Sequence, residues 1–481
     1  MRNTASILHN PVEAESRASQ HMWHPMTAPG INPLKAPLVI ASADGIYVTD
    51  TGGKTYIDGS AGMWNVNVGH NRPEIKAAIA AQMDRISYQS TFGNMTTEPA
   101  LALSTRLAEL MQIEDMTRFM FSTGGSDAVE TAFKLARQYW LLEGQPRKSK
   151  IISLRNGYHG LHWAGTAASG SPVWKAPYEP GIPGFLQVEG PYPYRSPWTS
   201  DPQQLGQICA DILEREIVHQ GPESVAAFIA EPIQGAGGLI VPPDNYWPLV
   251  RAVCDRHDVL LIADEVITGF GRTGSLFGAR HWGVKPDMMC LAKGINSGYI
   301  PMGATAVSRR VAQAWDRSHP MAAIMHGYTG SGHPLACAAA LANLDIVIGE
   351  DLPANADIQG AHLLKRLLPL KDTFDCVGDV RGVGLMVCVE FVKDKSSKQP
   401  FMPGDAFLTT FLQHCLGLGL LARMQANKLY LSPPLIITRS GVDQIADVIE
   451  EAVASSKIAR GHEIVQNSPR QTPAVQLVRS T

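Results

Sequence analysis

Asp264 closes an apolar run, Val259-Leu260-Leu261-Ile262-Ala263, and Lys293 follows another, Met288-Met289-Cys290-Leu291-Ala292. Between them lies the glycine-rich stretch Gly269-Phe270-Gly271-Arg272-Thr273-Gly274. An acid at one strand end and an amine at the next could hold a positively charged ring nitrogen and an aldehyde carbon on opposite sides of one ligand. A lysine amine makes a Schiff base with such a carbon, and a carboxylate keeps the ring nitrogen protonated so that the ring accepts electrons. Pyridoxal 5′-phosphate needs this pair. Taken alone, Lys293 serves equally well as a solvated lysine or as an ion-pair partner at a helix start.

A third feature bears on the phosphate. Phe119-Met120-Phe121 leads into Ser122-Thr123-Gly124-Gly125-Ser126, and from Asp127 the apolar residues Ala128, Ala132, Leu135, Ala136, Tyr139 and Trp140 follow at helical spacing. This is strand, glycine turn, helix, and the unpaired N–H groups and dipole of the helix start suit a phosphate dianion. No GxGxxG and no GK[ST] occurs in the turn, so neither a dinucleotide nor a nucleoside triphosphate is favoured. A small phosphorylated ligand and a plain helix cap both remain open on this motif alone.

The elements that position these groups follow from patterning. From about residue 76 to 340, strand-length apolar runs alternate with amphipathic helical stretches, the pattern of an α/β fold with a mainly parallel sheet. Val225 to Ala230 ends in Glu231 as Val259 to Ala263 ends in Asp264. Ligands of open α/β sheets gather beyond the carboxyl ends of the strands, where both acids stand, although a strand-end acid also serves simply to cap a turn. After about residue 345 the pattern becomes that of a smaller α+β domain. The expected organisation is an N-terminal segment 1–75 joining the small domain, with a hairpin around Gly52-Gly53; a large domain 76–345; the small domain 346–459; and a polar tail 460–481.

Composition narrows the function classes. The 481 residues are 45% hydrophobic and 18% charged with a net charge of -3, which excludes a polyelectrolyte and argues against a nucleic-acid partner. No run reaches the roughly 18 apolar residues of a membrane span. Seven scattered cysteines without a CxxC pair point to a reducing, cytoplasmic setting, and no metal-ligand spacing is present.

From about His21 to Ile437 the chain resembles the class III aminotransferases, pyridoxal-phosphate enzymes of fold type I. The resemblance rests on Gly124-Gly125-Ser126-Asp127-Ala128, Gly157-Tyr158-His159-Gly160, Glu231-Pro232, the Asp264 to Gly274 stretch, Lys293, and His326-Gly327-Tyr328-Thr329 with Gly332-His333-Pro334. It implies that Lys293 carries the cofactor as a Schiff base and then shuttles the substrate proton, and that Asp264 binds the pyridine nitrogen. It further implies that Tyr158 and Val266 hold the two faces of the ring, that Glu231 belongs to the cofactor site, and that Gly125 and Ser126 bind the phosphate with Thr329 from the partner subunit of a homodimer. The family usually has Glu at Asp127 and Ser or Thr at Gly124; these departures remove a side-chain contact at Gly124 and leave the backbone cup.

Within that family, members acting on substrates such as ornithine commonly place Gln where Ile267 stands. Ile267, and Ala61-Gly62-Met63-Trp64-Asn65-Val66-Asn67-Val68-Gly69-His70, side with the ω-amine and ω-amino acid:pyruvate type. In that subgroup Trp64 walls the substrate pocket and Arg423 swings in to bind a keto acid carboxylate and out to admit a bare amine, with pyruvate the expected acceptor. A core tryptophan and a surface ion pair are the plainer readings of the two. The alternatives are a diaminopelargonate synthase-like aminotransferase, from which Met26 and Leu161 depart, a decarboxylase or aminomutase on the same fold, and a binding protein without catalysis.

Overall fold

The computed structural model describes residues 21–27, 37–317 and 319–466, with backbone alone for 457–466. The N-terminal hairpin forms where glycines allow the chain to reverse: β1 (Ile40–Asp44), β2 (Tyr47–Asp50) and β3 (Thr55–Asp58) pair antiparallel in sequence. The runs Val225–Ala230 and Leu260–Asp264, apolar on both faces apart from the final acid, must be covered on both sides, and they lie inside a seven-stranded sheet.

In chain order that sheet comprises β4 (Met116–Ser122), β5 (Lys150–Leu154), β6 (Phe185–Val188), β7 (Val225–Ala230), β8 (Leu260–Asp264), β9 (Met288–Leu291) and β10 (Gly303–Ser308). Its spatial order is β4-β10-β9-β8-β7-β5-β6, and β10 alone runs against its neighbours. Alternate residues face opposite layers. Ile229, Ile262 and Cys290 pack on α1 (Gly125–Leu142), whereas Phe228 and Leu261 pack on α2 (Pro202–Gln220) and α3 (Tyr246–Arg256).

Beyond α4 (Pro334–Gly349) comes a second sheet, β11 (Val377–Val383), β12 (Met386–Asp394), β13 (Gln399–Pro400), β15 (Arg423–Gln425) and β16 (Lys428–Leu431), while β14 (Leu420–Leu421) pairs parallel with β3 and so ties the N-terminal hairpin to the C-terminal part. Gly384 to Val392 forms the turn and most of the second strand of the β11–β12 hairpin, and Pro433-Pro434 ends the extended stretch that begins at Lys428. The last helix, α5 (Arg439–Gln466), continues past residue 460, where the sequence suggests a tail; residues 467–481 lie outside the described residues. Among the described residues no helix is long and apolar enough to cross a membrane.

This topology places the carboxyl ends of β4, β5, β7, β8 and β9 and the amino end of β10 on one edge of the sheet. Each candidate group of the large sheet leaves from that edge.

Candidate active site

The cup is built where β4 meets α1. Asp127 accepts from the Thr123 N–H at 2.9 Å and from the Thr123 hydroxyl, so the shorter acid at this position closes the turn from within. A Cβ on Gly125 would stand 2.7 Å from Val266 Cγ1, and one on Gly160, whose φ is +92°, 2.6 Å from Ser126 Oγ. Both positions therefore require glycine for the walls to approach. Ser126 Oγ accepts from the Leu161 N–H at 3.2 Å, and Gly125 and Ser126, the first residues of α1, whose N–H groups have no partner within the helix, line the cavity.

Two buried carboxyl groups follow. Asp264, 4% exposed, lies 2.8 Å from His159 Nδ1 and accepts from the Val266 N–H at 3.2 Å. With Asp264 accepting a hydrogen bond from Nδ1–H, His159 Nε2 is buried and without a hydrogen-bond partner among the described residues. Glu231 accepts from the N–H groups of Tyr158 (3.0 Å) and Gly235 (2.9 Å). Burial pushes its pKa up to about 7, with His159 opposing and Asp264 reinforcing the rise.

The shift has a consequence for stability. A carboxyl whose pKa is raised in the folded state stabilises relative to the unfolded chain below about 4.5 and loses that contribution as pH rises to about 7. Glu231→Gln, which cannot ionise, is expected to gain in unfolding free energy relative to wild type between pH 5 and pH 8. Denaturant titrations of both proteins at the two pH values measure this, and a difference independent of pH would contradict it.

Lys293 emerges from β9 with a left-handed φ of +48°, a conformation costing a non-glycine residue about 1–3 kcal/mol. The residue lines the cavity and is half-buried. Desolvation pushes its pKa down to about 8, against the pull of Asp264 and Glu231 and with a further lowering by Arg423. The neutral amine, the form that attacks a carbonyl carbon, is thus far more populated near neutral pH than in an ordinary lysine.

Lys293 Nζ lies 5.9 Å from the Trp64 ring centroid, and the Arg423 guanidinium carbon lies 5.4 Å from the same ring. Trp64 is buried and held edge-on by Tyr430 at 5.6 Å. Arg423 is half-buried, touches the Met63 sulfur, and has no carboxylate within ion-pair distance among the described residues; desolvation lowers its pKa. A guanidinium held by an aromatic face rather than by a carboxylate is free to take an incoming one.

Gly125, Ser126, Tyr158, Glu231, Asp264, Val266 and Lys293 thus line one cavity of about 340 Å³, with Ile267 in its wall and Trp64 and Arg423 beside the lysine. Thr329 is not among the lining residues of its own chain; it is exposed, and its carbonyl accepts from the Tyr88 hydroxyl at 2.9 Å.

Sequence reasoning gave no role to several residues that shape the site. His159 was visible only as part of a motif, since its contact with Asp264 joins residues distant in sequence. Glu265, adjacent to Asp264, is fully buried and accepts from Thr268 Oγ1 (2.5 Å) and the N–H groups of Gly278 and Ala279 (2.8 and 2.7 Å), so it anchors the loop that aims its neighbour. Buried Arg272 donates to Asn67 Oδ1 (2.8 Å) and to the carbonyls of Pro433 (2.5 Å) and Leu385 (3.3 Å), tying the glycine-rich stretch to both ends of the chain.

A sheet of this order with a lysine, an aspartate and a phosphate-type cup at its carboxyl edge defines the class, and the family model for aminotransferase class-III matches residues 30–453. The chain belongs to the class III aminotransferases. It is 38% identical over 430 residues to putrescine–pyruvate aminotransferase of Pseudomonas aeruginosa, covering 88% of this chain and 92% of that one. It is 37% identical over 437 residues to adenosylmethionine-8-amino-7-oxononanoate aminotransferase of Geobacter sulfurreducens, covering 90% and 96%. Among solved structures, an amine transaminase from an uncultivated Pseudomonas species in its PLP-bound form is 48% identical with a TM-score of 0.89, covering 91% of this chain and 99% of that one.

Proposed function

We propose that this aminotransferase moves an amino group from an ω-amino acid or amine to a keto acid, with pyruvate as acceptor, through two half-reactions on pyridoxal 5′-phosphate. The observation that carries the reading is the convergence of Lys293 and Asp264 on one cavity, with Trp64 next to the lysine and, on the same ring, an Arg423 that has no carboxylate partner among the described residues. The residues fit the cofactor. The cup offers N–H groups and a hydroxyl where a Cβ at Gly125 would collide with the wall, and the buried Asp264 carboxyl offers an oxygen to a ring nitrogen while the other is engaged by His159.

Bound there, pyridoxal 5′-phosphate supplies a carbon that takes up an amine and a ring that accepts the electron pair released at the amine-bearing carbon. Gly125 and Ser126 hold the phosphate. Asp264, fixed by His159, keeps the ring nitrogen protonated, and Lys293 Nζ takes and returns the proton of the substrate carbon. Tyr158, Val266 and Glu231 confine the ring, and a homodimer in which Thr329 of the partner subunit completes the cup accounts for a threonine that is exposed and does not line its own chain's cavity. We read residues 76–345 as the large domain and 346–459, with the N-terminal segment, as the small one. Seven buried, unbridged cysteines suit a cytoplasmic location.

One pocket must accept an amine without an α-carboxylate and a keto acid that has one, and a fixed buried arginine would be left unpaired in the first half-reaction. Arg423→Ala is therefore expected to slow the half-reaction with pyruvate or alanine at least tenfold more than that with a simple amine such as 1-phenylethylamine, about the worth of one charge-assisted pair. Stopped-flow spectra separate the two. Equal losses would make Arg423 structural, and a loss confined to the amine would refute the switch.

A panel of diamines, ω-amino acids and aryl amines against pyruvate and 2-oxoglutarate, read as alanine or glutamate formed, tests the reading as a whole. Gas release or isomerised product without any acceptor would favour the decarboxylase or aminomutase alternative.

A further inference from the structure

We infer that Asn343, a residue of α4 outside the cavity, is the positioning residue that holds Lys293 in its reactive conformation; the inference rests on the reading of Lys293 as the cofactor lysine. Three residues of the turn from 293 to 298 are left-handed: Lys293 (φ +48°), Ser297 (+53°) and Gly298 (+75°). Such a turn does not persist unless its surroundings over-determine it.

The side chain that makes most contacts with it is Asn343. Asn343 is completely buried, and its amide donates to the carbonyls of Gly294 (2.9 Å) and Ile295 (3.0 Å) while its oxygen accepts from Ser297 Oγ (2.6 Å). Both amide protons and an oxygen lone pair are thus spent on the turn that follows Lys293. Ser297 Oγ in turn accepts from the Val68 N–H at 3.2 Å, which fastens the turn to the segment carrying Trp64. On the other side Gly294 is wedged so closely that a Cβ would stand 2.4 Å from Asn67 Nδ2. The turn is gripped from α4 and from the N-terminal segment, and the lysine leaves it at a fixed angle into the cavity.

An apolar side chain at 343 would leave two carbonyls without donors and the Ser297 hydroxyl proton without its acceptor in a dry interior, and the turn would relax toward ordinary φ values, moving the amine out of its desolvated place. Asn343→Leu should then lower kcat about 100-fold, the scale of a 1 Å misplacement, with KM for the amine within about threefold of wild type. In cofactor-free protein, the pH midpoint for capture of pyridoxal 5′-phosphate into a borohydride-reducible form should rise from its wild-type value. Asn355→Leu is the control, because the Asn355 amide makes the same kind of paired hydrogen bonds to the carbonyls of Leu435 (2.5 Å) and Ile437 (3.1 Å) without touching the lysine turn. It should cost thermal stability but leave kcat within about threefold and the capture midpoint in place.

If Asn343→Leu does not fold, Ser297→Ala removes the amide's third contact together with the bond from the Val68 N–H, leaves both carbonyl contacts of Asn343, and should lower kcat about tenfold and raise the capture midpoint in the same direction. Wild-type kcat in either variant, or a fall in Asn343→Leu matched by Asn355→Leu, overturns the inference. Turnover retained by Lys293→Ala would instead overturn the reading of Lys293 itself, whatever Asn343 does.

Discussion

Lys293→Ala is expected to lose transamination by at least about 10⁴-fold, the scale seen when the residue that forms the covalent bond is removed from a catalytic unit. The protein should nonetheless fold and bind pyridoxal 5′-phosphate without a covalent link, because the cup at Gly125 and Ser126 and the His159–Asp264 pair are untouched. Its left-handed backbone also loses little on truncation, since alanine tolerates φ +48° no worse than lysine does. Wild-type protein should be yellow with a band that borohydride removes. A variant keeping a reducible band and near-native turnover would transfer the role to another lysine.

Asp264→Asn is the second large effect. A neutral amide accepts a hydrogen bond but does not hold a proton on a ring nitrogen, so the ring loses its capacity to draw electrons while the cofactor stays bound. Rates of both half-reactions should fall together by at least about 100-fold, given that one preorganised electrostatic partner is worth about 3 kcal/mol or more. Because Asp264 is also the partner of His159 Nδ1, the substitution leaves that buried imidazole facing an amide whose orientation can supply an acceptor, and stability should suffer less than activity. Wild-type rates in single-turnover measurements would count decisively against the role.

Much of this was legible in the chain because the chemistry and the topology use the same punctuation. Asp264 and Glu231 ended apolar runs, and in an α/β sheet such ends share one edge, so two acids far apart in sequence could be expected in one place. The glycine turn before α1 likewise declared its helix through the spacing of Ala128, Ala132, Leu135 and Ala136. What stayed hidden depended on contacts between segments. The His159–Asp264 pair, the Asn343 grip and the Trp64 face shared by Lys293 and Arg423 each join residues whose meeting no local period encodes. The short strand β14 was equally invisible, because two residues carry no alternation and its pairing with β3 is set by the fold around it.

Lys293 is the proposed point of covalent attachment, and every other role at the site follows from it. Borohydride reduction of the purified protein loaded with pyridoxal 5′-phosphate, followed by proteolysis and mass spectrometry, reads that point directly. The expected result is one pyridoxyl group per chain on the peptide that contains Lys293; a label on any other lysine, or none, would contradict it.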